Sequence, residues 1–155
     1  MAQGDIVFFN QFLEDEGRKI HNLEVDQIKI GLTTGATLTP IAGTANPNFG
    51  GIGGNDFTDD EVVASGNYTV GGEDLLATFS QAGGTATFSA TQDPVTWTKN
   101  AANPSNARWG IIYNSDSTQK ECIAFVDLGS PAYDMRTGDL IIDWDVSGIG
   151  TKTAA

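Results

Sequence analysis

The chain has one cysteine, one histidine and 8 Lys and Arg residues against 20 Asp and Glu. No apolar run approaches the ~20 residues a membrane helix needs. Each scarcity excludes something. A lone cysteine cannot build an internal disulfide framework, and the setting of Cys122 in CIAFVDL suits a small buried apolar position rather than a reactive thiol. One histidine and one cysteine are too few ligands for a zinc site. A formal net charge of −12 opposes contact with nucleic acid or an anionic membrane, and no Lys or Arg stands between Ile30 and Thr98. A cationic partner surface suits that field better. The N-terminus MAQGDIVFF has neither the basic flank nor the cleavage site of a signal peptide, which predicts a soluble chain not exported by that route.

What is abundant is glycine, 19 in 155 residues, together with Thr, Ser, Asn and Asp. That composition disfavours long helices and predicts a mainly β protein rich in turns. The length predicts a single domain over residues 1–155, able to bury roughly two-thirds of the surface its unfolded form exposes. Asp5 to Phe9 and Asp26 to Thr33 suit strands, the second half-buried, with Ile28, Ile30 and Leu32 on one face. Between them NQFLEDEGRKIHNLEV is the one helix candidate, with Asn10 as its cap, Phe12 and Leu13 as its apolar patch and Gly17 as its stop. Residues 34–60 are dense in Gly, Thr, Asn and Pro without an apolar period, and form a long Gly-rich loop excursion. Leu75 to Ser80 and Thr85 to Thr91 flank Gly83 and Gly84 as a hairpin, with Ala86, Phe88 and Ala90 on one face. Val95 to Thr98, Ala107 to Tyr113, Glu121 to Leu128 and Asp139 to Trp144 complete the strand candidates. The runs at Ala107 and Glu121 are nearly continuous in apolar residues, so both their faces should be covered. About seven or eight short strands with glycine punctuation predict an antiparallel β-sandwich or small barrel with one short N-terminal helix.

The residues that could carry chemistry assemble into no recognisable motif. His21, beside Lys19 and Asn22, has no nucleophile elbow or activated thiol to serve and reads as a surface residue. Asn55, Asp56, Asp59, Asp60 and Glu61 offer oxygen ligands of the kind Ca²⁺ uses, but not at EF-hand spacing, and read as a solvated acidic loop. Asp143 and Asp145 are placed to pair with a neighbouring cation. GGIGG at Gly50 to Gly54 lacks the Lys-Ser/Thr and the helix of a phosphate loop. Trp97, Trp109 and Trp144 could form a sugar-stacking platform, yet each lies in a strand candidate and reads as core or interface. Asn100, Asn103 and Asn106 suit bonding to their own loop's backbone. No catalytic, cofactor-binding or metal residue is assigned, and the chain is expected not to be an enzyme.

The ordered blocks DIVFFNQFL, QIKIGLTT, VVASGNYTVGG, TFSATQDPVTWTKNAANPSNARWGIIYN, ECIAFVDLG and GDLIIDWDVSGI resemble a family of small virion proteins of tailed bacteriophages. The resemblance implies a structural role, in the head as a capsid decoration or cement protein, or in the tail or neck. Its partners would be the major capsid protein and further copies of itself, as in a trimer, with no nucleic acid and no membrane. Such a protein is made in the host cytoplasm and ends on the virion, here on the outer surface of the head. A glycan-binding β-sandwich module is the reading from a different class.

Overall fold

The structure, a computed structural model, describes residues 2–153. Its strands are β1 (Ile6–Phe8), β2 (Ile28–Thr33), β3 (Pro47–Asn48), β4 (Asn55–Asp56), β5 (Glu73–Asp74), β6 (Ala77–Ala82), β7 (Thr85–Ala90), β8 (Val95–Trp97), β9 (Trp109–Asn114), β10 (Cys122–Asp127), β11 (Leu140–Ile142) and β12 (Gly150–Thr153). One helix, α1 (Asn10–Gly17), and a 3-10 turn at Phe57–Asp60 complete the elements. Three of the strands are only two residues long, too short to leave a period in the sequence, and β12 has no counterpart among the candidates; together they take the count above the expected seven or eight.

The central sheet has five strands in the order β1-β10-β9-β2-β5, antiparallel throughout. It ends in β1 and β5 and does not close, so the architecture is a mainly β, sandwich-like one and not a barrel. The hairpin β6–β7 is joined by β12, β8 pairs with β11, and β3 with β4 forms a short parallel pair. The segment after β10 crosses between sheets, from the central one to β11 beside β8.

All six residues of β9 and of β10 are buried, because apolar clusters occupy both faces of the central sheet. One face carries Ile28, Ile30, Leu32, Ile112, Ala124 and Val126 toward Phe88, Val95, Trp97 and Leu140 of the smaller sheets. The opposite face carries Trp109, Ile111, Tyr113 and Phe125 toward Phe9, Phe49 and Phe57. Phe49 and Phe57 belong to the Gly-rich excursion, which is therefore a cover on the sheet and not a free loop. The half-buried expectation for β2 fails for the same reason. Gly31 lies beneath the Phe49 ring, where an added Cβ would come within 2.3 Å of Cζ.

Carboxylates hold the cover in place. Asp60 Oδ2 accepts from the backbone N–H of Thr37 (2.7 Å) and Leu38 (2.5 Å), and Asp56 Oδ1 accepts from Gly50 N–H (2.8 Å) and Thr58 N–H (2.9 Å). Glu61 Oε1 accepts from the Tyr68 hydroxyl (2.7 Å) and Gly71 N–H (2.6 Å). Backbone donors that a glycine-rich path leaves unpaired are satisfied in this way. The solvated acidic loop of the sequence reading is thus corrected: Asp60 is buried and only Asp59 of the group is exposed.

Candidate functional site

The most concentrated polar chemistry inside the protein lies where α1 ends. Phe9 in extended conformation takes the N-cap position without a side-chain bond, so Asn10 is the first helical residue and not the cap. Phe12 and Asp15, three apart on one helix face, are both buried, while Leu13 is exposed. Gly17 is the last helical residue, yet the left-handed position belongs to Lys19 (φ 60°). Lys19 N–H donates to the Glu16 carbonyl (3.1 Å) and Ile20 N–H to the Asp15 carbonyl (3.0 Å), the two bonds of a Schellman turn. That reversal returns the chain over the helix end and sets His21 against Asp15.

The His21 side chain is fully buried, with Nε2 3.9 Å from Asp15 Oδ2. This corrects its reading as a surface residue. Its other nitrogen fixes the tautomer. Asn114 Oδ1 accepts from the backbone N–H of Asp116 (3.0 Å) and Ser117 (3.1 Å), which directs its amide nitrogen toward Asp26 Oδ2 (2.6 Å) and His21 Nδ1 (3.2 Å). Nδ1 is therefore an acceptor and the proton of the neutral ring sits on Nε2. Burial lowers the His21 pKa, against the attraction of Asp15, Glu121 and Asp26. Burial likewise raises Asp15, against a hydrogen bond from Gln11 Nε2 to Oδ1 (3.1 Å).

Among the described residues Asp15 Oδ2, His21 Nε2 and Glu121 Oε2 are buried without a hydrogen-bond partner, and Asp15 and Glu121 line a cleft of about 260 Å³ with Gln11, Asn48 and Gln119. The His21 Nε2–H donor, 3.9 Å from the Asp15 Oδ2 acceptor, makes a pair that a water can bridge. It does not suit a general base: the ring is buried, its proton sits on Nε2 and its Nδ1 lone pair is engaged by Asn114. Among the described residues no group of three or more His, Cys, Asp and Glu has the geometry to hold a metal ion.

The remaining sequence candidates are spread through the fold. Cys122 is fully buried and its thiol pKa is pushed up by burial, so it stays protonated and unreactive. Trp97, Trp109 and Trp144 are all buried, which leaves no aromatic platform for a sugar at these positions. Trp144 Nε1 donates to the Gln92 carbonyl (3.1 Å), and Trp109 packs edge-on against Phe125 (5.9 Å). Asn100 does bond its own loop, through Oδ1 to Ala102 N–H (2.9 Å). Asn103 reaches further: its amide nitrogen donates to the carbonyls of Thr98 (2.9 Å) and Met135 (3.1 Å), and its oxygen accepts from Asn67 N–H (2.7 Å). Asp145 accepts from Ser147 within a turn, and Asp143 is exposed; among the described residues neither forms an ion pair.

One pair had no sequence signal. Arg108 grips Asp127 with both terminal guanidinium nitrogens while its guanidinium carbon lies 4.0 Å above the Trp109 ring. The hydrogen bonds from Arg108 hold the Asp127 carboxyl below its ordinary pKa. Comparisons with protein-family models, curated proteins and solved structures find no match for this chain.

Proposed function

We propose that this chain is a non-enzymatic structural component of a tailed-bacteriophage virion, a decoration or cement protein bound to the outside of the head. The observation that carries the reading is the ordered series of sequence blocks from DIVFFNQFL to GDLIIDWDVSGI, which spans most of the chain. The net charge of −12 supports an outward position away from packaged DNA. The burial of all three tryptophans takes away the basis of the glycan-binding alternative. The His21 imidazole is buried with its Nδ1 lone pair engaged by Asn114, which supports a structural rather than a catalytic reading of that cluster.

The mechanism is linkage. A protein that binds only the assembled shell stabilises it by mass action, by about 2.7 kcal/mol per site at a free concentration a hundredfold above Kd. The Gly-rich cover supplies a contact point: Ile52, at its tip, is 87% exposed. Purified protein mixed with undecorated, expanded capsids should co-sediment with them and raise their disruption temperature, and Ile52→Asp should weaken that effect. Absence of binding sinks the proposal. Copy number separates the neighbouring reading, because hundreds per particle mean head decoration and about a dozen or fewer mean a tail or neck ring.

A further inference from the structure

Edges of β-sheets are templates for pairing, and proteins guard them with brevity, charge or proline. Most edges here are guarded. β1 has three residues, β5 two acidic ones, β8 and β11 three each, and β12 carries Lys152, which pairs with Glu16 at 3.0 Å. β6 is different. It is a six-residue edge strand of the β12-β7-β6 sheet, exposed from Thr78 to Ala82, with an unbroken register against β7 and neither a bulge nor a proline. In a chain of net charge −12, residues 75–92 contain no charged side chain.

The hydrogen-bond phase of this edge follows from the structure. Gly83 (φ 56°) and Gly84 (φ 84°) form a two-residue turn with both glycines left-handed, so Ala82 and Thr85 are the closing hydrogen-bonded pair. Alternation then makes Phe79↔Phe88 a non-hydrogen-bonded pair. In agreement, the Phe88 carbonyl is turned away from β6 and accepts from Ile149 N–H (2.8 Å). The main-chain N–H and C=O groups of Ala77, Phe79 and Gln81 therefore point outward.

We propose that β6 pairs antiparallel with β6 of a second copy of this chain about a two-fold axis through Phe79. In that register Phe79 faces its own counterpart and Ala77 faces Gln81 of the other copy, so all the outward groups find reciprocal partners and two three-stranded sheets become one. The occupant is argued from charge. Two copies of so acidic a chain repel, and β6 itself carries no charge; Glu24, Asp26, Asp74 and Asp116 share a cleft with Ala77 and Thr78, the end that this register sets against the uncharged Gln81 end of the other copy, so the acidic groups stay at opposite ends of the contact. A cationic partner would find nothing to neutralise on β6. The inference does not depend on the capsid reading, because it concerns the purified chain alone and its failure would leave capsid binding open.

Sedimentation of the full chain across concentrations should show a monomer–dimer equilibrium that tightens as salt rises and screens the −12 charges. Gln81→Pro removes an outward N–H without breaking an internal ladder bond, and should weaken the dimer at least about tenfold while leaving the melting temperature within a few degrees. Phe79→Cys should cross-link into a covalent dimer under mild oxidant, since Cys122 is buried, whereas Ile52→Cys, at a more exposed position on the Gly-rich cover, should not. A monomer at all concentrations, a dimer indifferent to Gln81→Pro with the fold intact, or equal cross-linking of both cysteine variants overturns the proposal.

Discussion

Phe49 and Gly31 provide the sharpest test of the idea that the Gly-rich excursion is part of the core. Phe49 is 2% exposed and stacks on Tyr113 at 4.5 Å with 16° between ring planes. Replacing it by Ala removes a buried ring from a site whose floor is backbone, and should cost about 3–5 kcal/mol. Gly31→Ala attacks the same contact from below. Its Cβ would stand 2.3 Å from Cζ and 2.8 Å from both Cε atoms of Phe49, so the ring must shift, at a cost of about 1–3 kcal/mol. In the double variant the new methyl meets a void instead of a ring. It should therefore be less destabilised than the sum of the singles by at least about 1 kcal/mol. Equilibrium urea unfolding followed by tryptophan fluorescence measures all three, with Phe49→Leu as a milder variant should Phe49→Ala fail to fold. Costs that add to within about 0.5 kcal/mol would refute the packing of the ring on Gly31. A Phe49→Ala cost below about 1 kcal/mol would return the excursion to the status of a surface loop.

Two further predictions concern buried groups. His21 is the sole histidine, so its NMR titration is unambiguous, and its midpoint should lie below the ordinary 6.5 because burial opposes the imidazolium. With the folded pKa depressed, the unfolded chain binds more protons between the two values; stability rises with pH through that window and is lost on acidification. Asp15, raised by burial, contributes the opposite slope above 3.8, so His21→Gln should expose it. A His21 midpoint above 6.5 would mean an imidazolium paired with Asp15 and would reverse the argument. Trp109→Ala should cost about 3–5 kcal/mol in thermal or urea unfolding, since it empties a site between Phe125 and the Arg108 guanidinium. Full stability with loss of partner binding would move the residue from core to interface.

The parts of the fold legible in the sequence are those whose signal is local. β9 and β10 announce burial on both faces through unbroken apolar runs, and Gly83-Gly84 between two alternating segments announces the hairpin. The excursion conceals its role because only two aromatic residues, Phe49 and Phe57, anchor it, at a separation that matches neither a helix nor a strand. β2 looks half-buried because Gly31 has no side chain to reveal that Phe49 covers it. His21 is misread for a comparable reason: the helix stop suggested by Gly17 is completed by Lys19, and only the resulting turn brings an imidazole onto a carboxylate six residues back. No short-range pattern links Asp15 or His21 to Glu121.

The acidity of the chain also divides into two kinds once the hydrogen bonds are known. Asp56, Asp60 and Glu61 are acceptors for backbone N–H groups, and Asp127 is the partner of Arg108, so their charge is engaged in holding the protein together. Glu24, Asp59 and Asp143 are exposed, accept no such bond among the described residues, and are carboxylates that a cationic partner could meet. All of them contribute to the long-range field, which acts through net charge and keeps copies apart wherever acidic surfaces would approach. A neutral edge strand has the greatest consequence in a molecule of this kind. The repulsion that protects the rest of the surface makes β6 the place where association costs least, and the same field disfavours DNA. Neutrality at β6 and acidity elsewhere therefore act together, one permitting a contact and the other selecting which contacts remain.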